Sequence, residues 1–113
     1  FLKNAIFPAH HATIVRHSLL KSDPWIAKSL YQAFVAAQEL AMARLYQEPP
    51  SALIFSREEI ERQRAVFGIN PYIYGVKANS DVVKLVQAFG VEQGITPHKL
   101  PFNEFFAEGI LDT

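Results

Sequence analysis

The sequence has no cysteine, which removes disulfides, thiolate nucleophiles and cysteine-based zinc sites together. It carries no net charge, with 11 Lys and Arg against 11 Asp and Glu, and no basic run interleaved with aromatics. The electrostatic footprint of a nucleic-acid binder is therefore missing. No apolar run reaches the roughly 18 residues that span a bilayer, and Lys28, Gln32, Gln38 and Glu39 interrupt the longest helical stretch. Neither membrane nor nucleic acid is an expected partner. There is no glycine-rich phosphate loop and no serine elbow, so nucleotide binding and serine hydrolase chemistry have no support. Internal repeats and low-complexity segments are absent as well. The opening Phe1-Leu2-Lys3-Asn4 shows neither an initiator methionine nor the architecture of a signal peptide, the pattern of an internal start.

What the chain does have is apolar weight. Its 113 residues allow one domain at most, and a domain of this size typically buries roughly two thirds of the surface it exposes when unfolded. Apolar residues make up 50% and charged ones 19%, below the ~25% charged share of ordinary domains. Part of the apolar surface is expected to face polypeptide outside these residues. Ala12-Thr13-Ile14-Val15 is apolar and β-branched, with Pro8 before it and Arg16 and His17 after it, and reads as a short buried strand. A lone strand cannot satisfy its own backbone donors and acceptors, and no second convincing strand follows.

Helical signals fill the remainder. Asp23-Pro24 marks a helix start, with aspartate as cap and proline in the first turn. Trp25, Ile26, Leu30, Phe34, Val35, Leu40, Ala41 and Leu45 recur near helical spacing, predicting one broad apolar face over 24–47, stopped by Pro49-Pro50. Ser56-Arg57-Glu58-Glu59 has the capping-box pattern and predicts a second helix ending at Gly68. Asn79-Ser80-Asp81 offers caps for a third, near residues 80–92 and closed by Gly94 in the left-handed conformation. Between these two lies the aromatic loop Asn70-Pro71-Tyr72-Ile73-Tyr74-Gly75, and one more turn is expected across residues 103–106.

Few residues suggest chemistry. His10-His11 invites a metal reading, but neighbours on an extended segment point to opposite faces and no Asp or Glu is near, so no metal site is expected. A histidine beside a strand end is a better acid-base candidate, and His11 is the choice. Arg16 has the planar fork that anchors a carboxylate. Tyr72 and Tyr74 present a hydroxyl and a flat face to an aromatic ligand, although loop tyrosines more often cover a core edge. Trp25 is assigned to helix docking. The Arg57, Glu58, Glu59, Glu61, Arg62 and Arg64 cluster alternates in sign, as a solvated helix face does.

The order of these segments resembles the C-terminal third of the 4,5-dihydroxyphthalate decarboxylase family, within the type II periplasmic-binding-protein superfamily. The resemblance runs over nearly the whole chain. It rests on Phe7-Pro8-Ala9-His10-His11-Ala12-Thr13-Ile14-Val15-Arg16, on Pro24-Trp25 with Ser29-Leu30-Tyr31-Gln32-Ala33-Phe34, on Tyr72-Ile73-Tyr74-Gly75 and on Glu92-Gln93-Gly94. Tyr72 stands where the family has a tryptophan-like residue, Ile73 replaces a proline, and the ending Leu100-Pro101-Phe102-Asn103-Glu104-Phe105-Phe106-Ala107 is looser than the family's.

The resemblance implies an α/β fold in which residues 1–113 form an α-rich C-terminal fragment of a larger two-lobed protein, with one or two short strands and three to four helices. It implies removal of one carboxylate from a dihydroxylated aromatic dicarboxylate without any cofactor, with His11 as acid, Arg16 as anchor and Tyr72 and Tyr74 against the ring. The implied partners are a small aromatic acid and the missing N-terminal portion, in a cytoplasmic protein that is homo-oligomeric when intact. The same architecture also serves periplasmic solute-binding proteins of transporters, which bind a small anion without chemistry. An autonomous helical interaction module is the third reading.

Overall fold

Proline and glycine divide the chain into helices, and a computed structural model describes residues 6–9, 11–48 and 54–113. In chain order the helices are α1 (His17–Ser22), α2 (Trp25–Gln47), α3 (Ser56–Phe67), α4 (Ser80–Glu92) and α5 (Phe102–Phe105), followed by a 3₁₀ turn at Glu108–Ile110. The expected long helix, its two successors and the short turn near 103–106 are all present. Helix α1 was not foreseen.

The glycine stops behave as their chemistry requires. Gly68 closes α3 at φ 79° and Gly94 follows α4 at φ 71°, values that L side chains rarely adopt. At the end of α4 the Ile95 amide donates to the Gly90 carbonyl at 2.8 Å and the Gly94 amide to Val91 at 3.1 Å. This paired pattern satisfies carbonyls that the last turn leaves over. The proline pair 49–50 lies outside the described residues, and α2 ends ahead of it with the Glu48 amide bonded to the Arg44 carbonyl.

The N-terminal caps depart from expectation. Asp23 ends α1 through its amide, which donates to Leu19 O at 2.8 Å. Its carboxylate accepts from Ser22 Oγ at 2.8 Å and Trp25 Nε1 at 3.3 Å rather than from the free amides of α2. Ser56 is the first residue of α3 rather than its cap, so the reciprocal box with Glu59 does not form; Glu59 instead lies 3.9 Å from Arg62 on an exposed face.

The expected α/β class is overturned: among the described residues there is no strand and no sheet, and the architecture is all-α. Residues 12–15 have no regular structure, and Ile14 is 93% exposed. β-branched side chains favour extended backbone, but a strand exists only where a neighbour completes its hydrogen-bond ladder, and the described residues supply none.

Helix α2 is the organising element, with α1 and the 3₁₀ turn packed against it. Its covered stripe runs through Ile26, Ala27, Leu30, Tyr31, Val35, Gln38, Met42, Leu45 and Tyr46, at helical spacing. Trp25, Phe34 and Leu40, expected on the buried face, are exposed, and the Trp25 indole donates to Asp23. Among the described residues only Ala27, Pro71 and Val76 are buried, and none of them completely.

Size measures agree with this open packing. The accessible surface is 9170 Å², against about 6,200 Å² for a folded monomer of this mass. The radius of gyration is 17.1 Å, against about 13 Å for a compact chain of this length. The chain buries nearer to half than to two thirds of its unfolded surface. Many large apolar residues stay exposed, and α2 carries apolar residues on both its covered and its open sides.

Candidate functional site

The aromatic loop between α3 and α4 is the most firmly built irregular segment. Asn70 accepts the Tyr72 amide on its Oδ1 at 2.9 Å, the side-chain-closed turn that asparagine favours before proline. Its Nδ2 donates to Gln38 Oε1 at 2.9 Å, and Gln38 Nε2 donates to the Tyr72 carbonyl at 2.5 Å. One glutamine on the covered stripe of α2 thus holds both ends of the turn. Farther on, Asn79 Nδ2 bridges the carbonyls of Ile73 and Gly75, each at 2.8 Å. On the other side Tyr46 donates its hydroxyl to the Ile69 carbonyl at 2.6 Å, beneath the Arg64 guanidinium 5.6 Å from its ring.

These anchors act on the backbone and leave the rings available. Tyr72 is 55% and Tyr74 45% exposed. Tyr74 lies 6.2 Å from Phe34 of α2, and Phe7 meets Tyr72 edge-on at 5.5 Å and Phe67 at 5.2 Å. The Phe7 contact ties the N-terminal segment to the aromatic loop. His11 follows four residues later, so its Cα lies within about 14 Å of that of Phe7. It is exposed, as is Arg16.

Arg16 sits where the extended segment enters α1 and lines a broad open hollow of about 650 Å³ with Thr13, Ser18, Ser22, Ile26 and Leu30. His11, Tyr72 and Tyr74 do not line that hollow. The predicted site residues therefore fall into two places, Arg16 by α1 and the tyrosines on their loop. His10, the other half of the metal reading, lies outside the described residues, and among those described no three His, Asp or Glu gather as a metal set.

Compared with known proteins, the chain matches no family model, no curated protein and no solved structure. None of these comparisons supports the decarboxylase resemblance. Asn70 was read as part of the loop, Asn79 as a helix cap and Gln38 as a polar break, but the bonds by which the three build the loop were missed by sequence reasoning. A polar residue at a stripe position of α2 and an asparagine directly before Pro71 were the available signals.

Gln38→Ala is expected to lower stability by about 1 kcal/mol, the modest end because the stranded groups keep access to water. Near-ultraviolet circular dichroism of the tyrosines should change with it. An unaltered melting curve and unaltered tyrosine signal would mean that the loop is held by other contacts.

Proposed function

We propose that this chain forms one wall of a decarboxylase that acts on a dihydroxylated aromatic dicarboxylate of the 4,5-dihydroxyphthalate type, giving 3,4-dihydroxybenzoate and carbon dioxide. The opposite wall belongs to polypeptide outside these residues. The observation that carries the reading is the Phe7–Tyr72 contact, which brings the segment bearing the Phe7-Pro8 and His11 motif beside the aromatic loop of the same resemblance. The surplus of exposed apolar surface supports an incomplete wall.

The chemistry asks for little. A ring hydroxyl para to the departing carboxylate, on losing its proton, pushes electrons onto the carbon that bears that carboxylate. His11 donates a proton to this carbon, the carbon–carboxylate bond breaks, and its electron pair restores the aromatic ring as carbon dioxide leaves. Arg16 anchors the retained carboxylate through its planar fork, while Tyr72 and Tyr74 offer flat faces to the ring. Tyr72 and Tyr74 do not line the hollow that Arg16 borders, and domain closure over the substrate would bring both to one ligand.

The test is a product assay with 4,5-dihydroxyphthalate on the complete polypeptide containing these residues. Release of one carbon dioxide per 3,4-dihydroxybenzoate supports the enzyme. Tight binding of the acid with no turnover would replace it by a solute-binding protein, and neither binding nor turnover would remove both.

A further inference from the structure

We propose that residues 107–113 form a latch for the aromatic loop, so that seating of Thr113 sets how Tyr72 and Tyr74 are presented. Three consecutive loop amides converge on this one residue. Val76 N donates to Thr113 Oγ1 at 3.2 Å, and Lys77 N and Ala78 N donate to the Thr113 carbonyl at 2.6 and 3.3 Å. The threonine hydroxyl in turn donates a hydrogen bond to the Ile110 carbonyl at 2.6 Å, tying the loop to the 3₁₀ turn that packs on α2. Donors and acceptors of two segments far apart in sequence are thus satisfied by each other.

Gly75 permits the approach. Its φ is +119°, and a Cβ placed there would stand 2.6 Å from the Thr113 carbonyl carbon, closer than such atoms come. The Gly75 carbonyl is held by Asn79 Nδ2, which also holds the Ile73 carbonyl between the two tyrosines. Displacing Thr113 therefore disturbs Gly75 first, then the shared asparagine, then the backbone that carries the rings. Val76, 5% exposed, sits at the centre of this arrangement. The latch does not depend on the chemistry proposed above.

Amide hydrogen exchange and tyrosine ring resonances of the chain test it. Thr113→Val removes the hydroxyl and should speed exchange at Val76 by roughly tenfold, the size of one lost hydrogen bond, whereas Thr113→Ser should restore protection. Gly75→Ala should speed exchange at Lys77 and Ala78 and shift the Tyr72 and Tyr74 resonances. Gly68→Ala is the control, because Gly68 has φ +79° with open space around it, so it carries backbone strain without the collision. The latch is overturned if Val76 exchange is unchanged in Thr113→Val. It is equally overturned if Gly68→Ala reproduces the Gly75→Ala effects, or if the amides are released while both tyrosine resonances stay in place.

Discussion

His11→Ala in the complete polypeptide is expected to reduce decarboxylation by about 10²- to 10⁴-fold, the range for losing a positioned general acid. The loss should fall on kcat, because protonation of the ring carbon develops only in the transition state, while substrate affinity changes little. His11 is exposed and lies on the irregular stretch before α1, outside every helix, so the helical circular dichroism should be unchanged. A loss smaller than tenfold, with substrate still turned over, would remove His11 from the chemistry and leave the proton donor on the opposite wall.

Val76→Asp is expected to unfold the chain. Val76 is one of three buried residues among those described, and its amide is bonded to Thr113. An uncompensated charge in a buried site costs about 3–5 kcal/mol. A chain that buries only about half of its unfolded surface has little stability to spare. Helical circular dichroism at neutral pH should collapse for Val76→Asp, whereas Val76→Ala should keep its helices with a lower melting temperature. Retention of the wild-type melting curve by Val76→Asp would show that the contacts around residues 76 and 113 do not hold the molecule together.

The helices were legible where the governing interactions are local. Helix α4 spans Ser80–Glu92 as its apolar spacing predicts, and Gly68 and Gly94 stop their helices through backbone conformations that need no distant partner. Helix α1 escaped because Arg16 and His17, at its start, were read only as the polar flank of a strand. The caps failed for a related reason. Asp23 lies two residues before α2, but its carboxylate has two competing donors, Ser22 and Trp25, and satisfies itself there, while Ser56 is itself the first helical residue of α3.

The strand expected at residues 12–15 is the instructive error. Thr13, Ile14 and Val15 have the propensity, yet propensity measures fit to a sheet surface that other segments must provide. The covered face of α2 was also misjudged in part. Apolar residues occur on more than one side of this helix, so periodicity could not tell Val35 and Met42, which are half-buried, from Trp25 and Leu40, which are not. Of the candidate site, the tyrosine-bearing loop and Arg16 were visible as residue types. Their separation into two places, and the roles of Gln38, Asn79 and Thr113, were not.

Helix positions, glycine stops and an apolar surplus were thus written into short stretches of residues, because hydrogen bonds a few positions apart and steric limits on φ act within a single turn. The choice of covered stripe on α2, the absence of a sheet and the seating of Thr113 against Val76, Lys77 and Ala78 came from packing. Each depends on which groups remote in the chain arrive to satisfy a donor or cover an apolar face, and no local preference encodes that arrival.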